Sequence, residues 1–269
     1  MSTADMSAPA TTGFSLSRFK PPYALITLCA LLVIWELGAR LADVPTYLLP
    51  TPSAIVMAFR DFGPLLISHA GVTLLEIVLG FAIAVLVGIP LATSIAYSKV
   101  VDRSIYPLIV GSQTVPKAAI APLLLAAFGY GIAPKIIIVA LMSFFPVVIN
   151  SVVGFRAAPP EMLHLASSMG ANAWQTFWRF RLPQALPSMF AGMKLASVLA
   201  VIGAVVAEFV GARSGLGYVI MVAGSNFRMD QQFAAIIVLS AMGMVFFWII
   251  GMIEARVLPK HGSTNAGDH

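Results

Sequence analysis

Apolar residues run through this chain in long unbroken blocks, at 23–42, 71–97, 104–128, 134–154, 185–210 and 231–255. Such blocks are too long for core strands and too uniform for the one-sided stripe of a soluble amphipathic helix. A helix needs about 20 apolar residues to cross a hydrocarbon core, so the pattern predicts an all-α polytopic membrane protein with six transmembrane helices. The third block differs from the rest, because Pro107, Pro116 and Pro122 punctuate it. A broken helix is tolerated at membrane depth only where protein or a water-filled cavity surrounds its freed backbone groups. That places 104–128 on a translocation path.

Polar positions interrupt the blocks in three informative places. Residues 45–69 open with Pro-Thr-Tyr-Leu-Leu-Pro-Thr-Pro and continue as a short amphipathic stretch, predicted to lie at the outer membrane interface. Between 158 and 183 the pattern turns partly polar. Pro159-Pro160 favours a helix start, Met162, Leu165 and Met169 recur at helical spacing, and Gly170 ends the turn. Asn172 is placed to cap a second helix whose Trp174, Phe177 and Trp178 form an apolar stripe, with Pro183 at the start of the next span. The residues alone leave two readings of this helix pair open: a loop resting at the lipid headgroups, or a dock for a soluble partner. The third place is Ser-Gly-Leu-Gly-Tyr-Val-Ile at 214–220, whose glycines suit a turn or the start of a short re-entrant helix.

Composition agrees with the pattern: 59% of the 269 residues are hydrophobic and 10% charged, where soluble domains carry about a quarter charged. Charge then sets the direction of the spans. With the N-terminus inside, Arg18, Lys20, Lys99, Arg103, Arg156, Arg179, Arg181, Arg256 and Lys260 fall on the cytoplasmic side, while Arg40, Arg60, Lys135, Arg213 and Arg228 fall outside. Both termini are thus expected in the cytoplasm. The net charge of +5 is scattered over span ends rather than gathered on a face, which argues against nucleic acid as a partner. Residues 1–20 read as a disordered cytoplasmic tail and 261–269 as a C-terminal tail, leaving 21–260 as one membrane domain. The first block is a retained span rather than a cleaved signal, since no convincing small-residue cleavage site follows it. Cys29, in that block, excludes a disulfide framework and is expected to be a buried thiol.

Ionisable residues inside apolar blocks are costly and therefore candidates for function. Glu36 and Glu76 are expected to pair or snorkel at the outer ends of their spans, and Lys194 to snorkel at the cytoplasmic end. Lys117, after Pro116 in the broken span, and Glu208, at the end of the fifth, are expected either to pair with each other or to face the path. Gln113 and Asn150 line that path or make interhelical hydrogen bonds. Gly80, Ala84, Gly88, Gly192 and Ala196 permit close helix contact. His69, His164, His261 and His269 show no ligand spacing, which predicts no metal site, and no paired acids or activated nucleophile suggests an enzyme. The absence of a G-x-x-x-x-G-K-[S/T] loop means that any ATP is hydrolysed elsewhere. No internal repeat supports a secondary transporter.

The helix pair at 158–183 resembles the cytoplasmic coupling signature of binding-protein-dependent ABC importer permeases: Glu-Ala-Ala, three residues, Gly, nine residues, an aliphatic residue, one residue, Leu-Pro. Here those positions hold His164-Leu165-Ala166, Gly170, Phe180 and Leu182-Pro183; the first two depart from the pattern, and the glycine and Leu-Pro keep register. The stretches 114–135, 144–156 and 208–218 are similar to the nitrate/sulfonate/taurine-type subgroup, so that the resemblance spans roughly residues 48 to 261. The resemblance implies a type I ABC importer permease fold in a bacterial inner membrane, moving a small solute into the cytoplasm by alternating access. It implies two ATP-binding cassette ATPase subunits that hold ATP and Mg²⁺, an extracytoplasmic solute-binding protein, and a second permease copy as a homodimer; this chain itself binds no cofactor. His164, Ala166, Met169, Gly170, Ala171, Phe180, Leu182 and Pro183 become the ATPase-coupling residues. Gln113, Pro116, Lys117, Asn150 and Glu208 become the path, and Gly215, Gly217 and Tyr218 the outer gate. The subgroup favours a sulfonate or another small organic anion, with a pyrimidine, vitamin precursor or other aromatic solute as the alternative.

Overall fold

The computed structural model describes residues 23–258; both predicted tails, 1–20 and 261–269, lie outside them. The described chain is helical throughout, in two compact units, one ending at Val44 and the other beginning at Pro45. The first unit contains α1 (Tyr23–Leu41), where Glu36 pairs with Arg40 one turn on, at 2.5 Å. Cys29 is exposed on this helix rather than buried. An apolar surface meant for lipid need not be folded inward, so an apolar sequence around a thiol does not imply burial.

The second unit opens with α2 (Pro52–Tyr97), 46 residues long. This corrects the expectation that an interfacial stretch precedes a separate span at 71–97. Thr51 caps the helix by accepting the Ala54 amide, Pro52 takes the first turn, and the helix runs straight through Pro64. An internal proline forfeits one backbone hydrogen bond and need not end a helix whose flanks are apolar and packed.

The broken third span is built as its prolines dictate. After α3 (Lys99–Ser104) and α4 (Tyr106–Ser112), a 3-10 turn (Lys117–Ile120) leads into α5 (Ala121–Phe128). The two halves meet at 86°. Pro107 and Pro122 occupy the first turns of α4 and α5, and Pro116 precedes the 3-10 turn, positions where a missing amide costs nothing.

The remaining helices are α6 (Ile132–Arg156), α7 (Pro160–Ser168), α8 (Ala173–Thr176), α9 (Leu182–Gly211), α10 (Leu216–Ser225) and α11 (Met229–Val257). A π-helical segment, Phe177–Arg181, joins α8 to α9, so that residues Ala173–Gly211 form one continuous helical rod. Four helices, α2, α6, this rod and α11, are each long and apolar enough to cross a membrane, and the bent pair makes a fifth.

α6 is the centre of the bundle, packed between α2 and α9. Ile77, Val139, Val147, Ala196, Ala200 and Ala204 are buried in one cluster, and Ala92, Val148, Val152, Phe155, Ala185 and Met189 in a second. Close approach depends on small residues, as expected in a lipid-solvated bundle. A Cβ at Gly80 would stand 2.4 Å from Val139 Cγ1, and one at Gly192 would stand 2.7 Å from the Pro146 carbonyl oxygen.

Candidate functional site

Three places in the bundle gather the residues singled out by sequence. The first is a cavity of about 470 Å³ between the break of the third span and the middles of α6 and α9. Gln113, Pro116, Lys117 and Asn150 all line it, so four of the five path candidates converge. Met142, Phe145, Leu195 and Leu199 supply an apolar wall. Lys117 does not pair with Glu208. Its ammonium donates to the Gln113 carbonyl at 3.2 Å and stands 4.5 Å above the Phe145 ring. Asn150 donates to the Pro146 carbonyl at 2.9 Å, one turn back on α6.

Glu208 belongs to the second place, at the end of the bundle where α9 stops. Here three of the amides at the start of α10, which no helical carbonyl reaches, are met by side chains from other helices. The Gly215 amide donates to His69 Nδ1 at 2.9 Å, the Leu216 amide to Thr73 Oγ1 at 2.8 Å, and the Gly217 amide to Glu208 Oε2 at 2.5 Å. The Thr73 hydroxyl in turn donates a hydrogen bond to Glu208 Oε1 at 2.7 Å. The glycines follow from this packing. Gly215 has φ +115°, and a Cβ there would lie 2.0 Å from Glu208 Oε1; one at Gly217 would lie 2.8 Å from Oε2. Tyr218 stacks at 5.9 Å on the His69 ring. The predicted gate residues Gly215, Gly217 and Tyr218 therefore meet Glu208 and His69 directly.

Beside this junction Lys135, assigned by the charge pattern to the outer side, is buried and forms an ion pair with the fully buried Glu76. The Glu76 and Glu208 carboxyls face each other at hydrogen-bonding range. Pairing was expected for Glu76, but its partner lies 59 residues away on α6, too distant to find by spacing. Lys135 also lines a cavity of about 510 Å³ that Arg213, Tyr130 and Ser214 share. Lys194 does not simply snorkel: it pairs with Glu254 on α11 at 2.5 Å. Arg228 pairs with Asp230 at 3.3 Å and lies over the Phe62 ring.

The third place is the helix pair α7–α8, at the far end of α9 from Glu208. Gly170 takes φ +75° at the turn, and Asn172 and Gln175 form a reciprocal capping box over the start of α8, with bonds of 2.8 and 3.0 Å. Leu165, Met169, Trp174 and Trp178 are exposed, with Met169 at 74%. His164, Gly170 and Pro183 are also exposed, and Ala171, Phe180 and Leu182 half-buried. Ala166 is fully buried, so the outward apolar face is made by its neighbours instead. Phe177 turns inward between Tyr97 and Phe155, and the Arg181 guanidinium lies 4.6 Å from the Tyr97 ring, which fixes the hairpin to the ends of α2 and α6.

Comparison with known proteins agrees with this architecture. Residues 84–259 match the family described as binding-protein-dependent transport system inner membrane component. A formylaminopyrimidine transport permease protein of Halalkalibacterium halodurans is 39% identical over 230 residues, covering 85% of this chain and 92% of the relative. A riboflavin transport system permease protein of Chloroflexus aurantiacus is 35% identical, covering 89% and 91%. A putative aliphatic sulfonates transport permease protein of Bacillus subtilis is 30% identical, covering 89% and 87%. Among solved structures, an inward-facing MetNI methionine ABC transporter superposes with a TM-score of 0.65 at 15% identity, over 74% of this chain and 99% of that one.

Proposed function

The chain belongs to the binding-protein-dependent transport system inner membrane components, and from that premise we propose that it is the permease subunit of an ATP-driven importer in a bacterial inner membrane. Two such chains form the pore with six spans each, α1 included, and both termini in the cytoplasm. ATP and Mg²⁺ are held by two partner ATPases, and an extracytoplasmic binding protein delivers solute to the Glu208 end. The observation that carries this reading is the hairpin. An exposed apolar face on α7 and α8 stands at the end of a helical rod that continues without interruption to Glu208. A rigid-body push on that face moves α9, and α9 carries one wall of the cavity and one side of the α10 junction. His164, Met169, Gly170, Ala171, Phe180, Leu182 and Pro183 belong to or brace that contact.

For the solute, a flat heteroaromatic molecule fits the cavity better than a sulfonate. The lining offers the carboxamides of Gln113 and Asn150 over the apolar wall of Met142, Phe145, Leu195 and Leu199. Lys117, the cation among its lining residues, is already engaged by a carbonyl and a ring. The two relatives of higher identity described above are named for a pyrimidine and for riboflavin. Reconstitution in proteoliposomes with its ATPase and binding protein tests both levels. ATP-dependent accumulation of solute is expected, with an aminopyrimidine taken up in preference to an alkanesulfonate. Failure to accumulate any solute contradicts the importer reading, and preference for the sulfonate contradicts only the solute.

A further inference from the structure

Glu76, Glu208 and Lys135 put two carboxyl groups and one ammonium into a site where neither carboxyl side chain has any exposure and the lysine side chain has 8%. The two carboxyls are at hydrogen-bonding range of each other. An ionised carboxylate only accepts, so two of them make no hydrogen bond unless one carries a proton, and like charges in contact away from water do not both persist. The pattern of donors shows which one carries it. Both oxygens of Glu208 already accept, from the Thr73 hydroxyl and the Gly217 amide. On Glu76, Oε1 accepts from Lys135, while Oε2 is buried and no N–H or O–H among the described residues reaches it. A buried oxygen with no donor, on a carboxyl within reach of a carboxylate, is where a hydrogen belongs.

We propose that Glu76 is protonated on Oε2 at neutral pH and donates to Glu208, which makes the α2–α6–α9–α10 junction a binding site for one proton. The cluster then carries Glu208⁻ and Lys135⁺ and is neutral; without the proton it holds a net buried negative charge. Among the described residues His69 on α2, Tyr218 on α10, and Tyr130 and Arg213 at the adjoining cavity are the other titratable or charged groups beside it. The proton is a ligand of the docked state of α10. Moving α10 away from α2 and α9 admits water, Glu76 gives its proton to that water, and redocking takes one up. The site stands on the local geometry and does not depend on which solute is carried.

Infrared spectroscopy of the purified full chain in lipid nanodiscs at neutral pH tests this directly. A carboxylic-acid C=O stretching band is expected, because exposed glutamates are ionised at that pH and contribute none. The band shifts when glutamate alone is ¹³C-labelled, disappears in Glu76→Gln, and persists in Glu254→Gln. Glutamine keeps an acceptor for Lys135 and a donor toward Glu208, so the unfolding midpoint of Glu76→Gln stays within about 3 °C of the parent. Glu208→Gln presents an N–H to a donor already in place and loses more. The proposal is overturned by a wild-type spectrum lacking the glutamate band, by a band that survives Glu76→Gln, or by a Glu76→Gln chain that does not fold.

Discussion

The two ends of α9 are finished in opposite ways. At the Glu208 end the polar groups are tied across helices: the Gly215, Leu216 and Gly217 amides are taken by side chains from α2 and α9, and an ion pair joins α2 to α6. At the hairpin end the hydrogen bonds are local, Asn172 with Gln175 and Ser168 with His164, while large apolar side chains face outward. A buried polar group left unpaired costs about 1–3 kcal/mol, so the first end is stable as it stands and moves only when several bonds part together. The second end leaves Leu165, Met169 and Trp174 exposed, and in the importer proposed above the partner ATPase covers them. One end is a lock completed within the chain, and the other is, on the proposed reading, a handle completed from outside it.

The contrast is tested hardest at its two left-handed glycines. Gly215→Ala drives a methyl into Glu208 at a backbone angle hostile to side chains, and is expected to cost more than about 4 kcal/mol, read as loss of folded protein in detergent. Gly170→Ala meets nothing within 4 Å and pays only for its φ, about 1 kcal/mol. Next in size is Glu208→Gln, which sets an amide N–H against either Thr73 or Gly217 and lowers stability by about 1.5–3 kcal/mol in thermal unfolding. Thr73→Val removes both the donor to Glu208 and the acceptor for Leu216, for about 1–3 kcal/mol. Smallest is Asn172→Ala, which opens the capping box for about 1 kcal/mol. Its effect stays local: hydrogen exchange rises across 173–176 while the global unfolding midpoint holds.

Much of this was legible along the chain. Each proline of the third block begins a helical piece, and Pro160, Gly170 and Asn172 set the hairpin's start, turn and cap as their chemistry predicts. Gln113, Pro116, Lys117 and Asn150 meet at one cavity because they flank the break and one turn of α6. What escaped was long-range or permissive. The Thr73–Glu208 bond spans 135 residues and Glu76–Lys135 spans 59, so nothing in local spacing announces either. Lys135 reads along the chain only as an outer-side charge, and nothing in its neighbours shows that it turns inward to Glu76. The stretch 45–69 reads as separate from the span at 71–97, yet α2 runs through both and through Pro64, because an apolar helix absorbs one missing hydrogen bond.

The central claim is that the exposed hairpin face is where an ATPase drives this chain. The most direct test is ATP hydrolysis and co-purification of the partner ATPase with the double variant Leu165→Asp, Met169→Asp, in proteoliposomes. Both side chains are exposed, so folding stability is expected to change by less than about 0.5 kcal/mol. Loss of co-purification and of binding-protein-stimulated hydrolysis, with the unfolding midpoint unchanged, is the predicted result. Undiminished co-purification and stimulated hydrolysis would show that the hairpin is only a loop at the membrane surface.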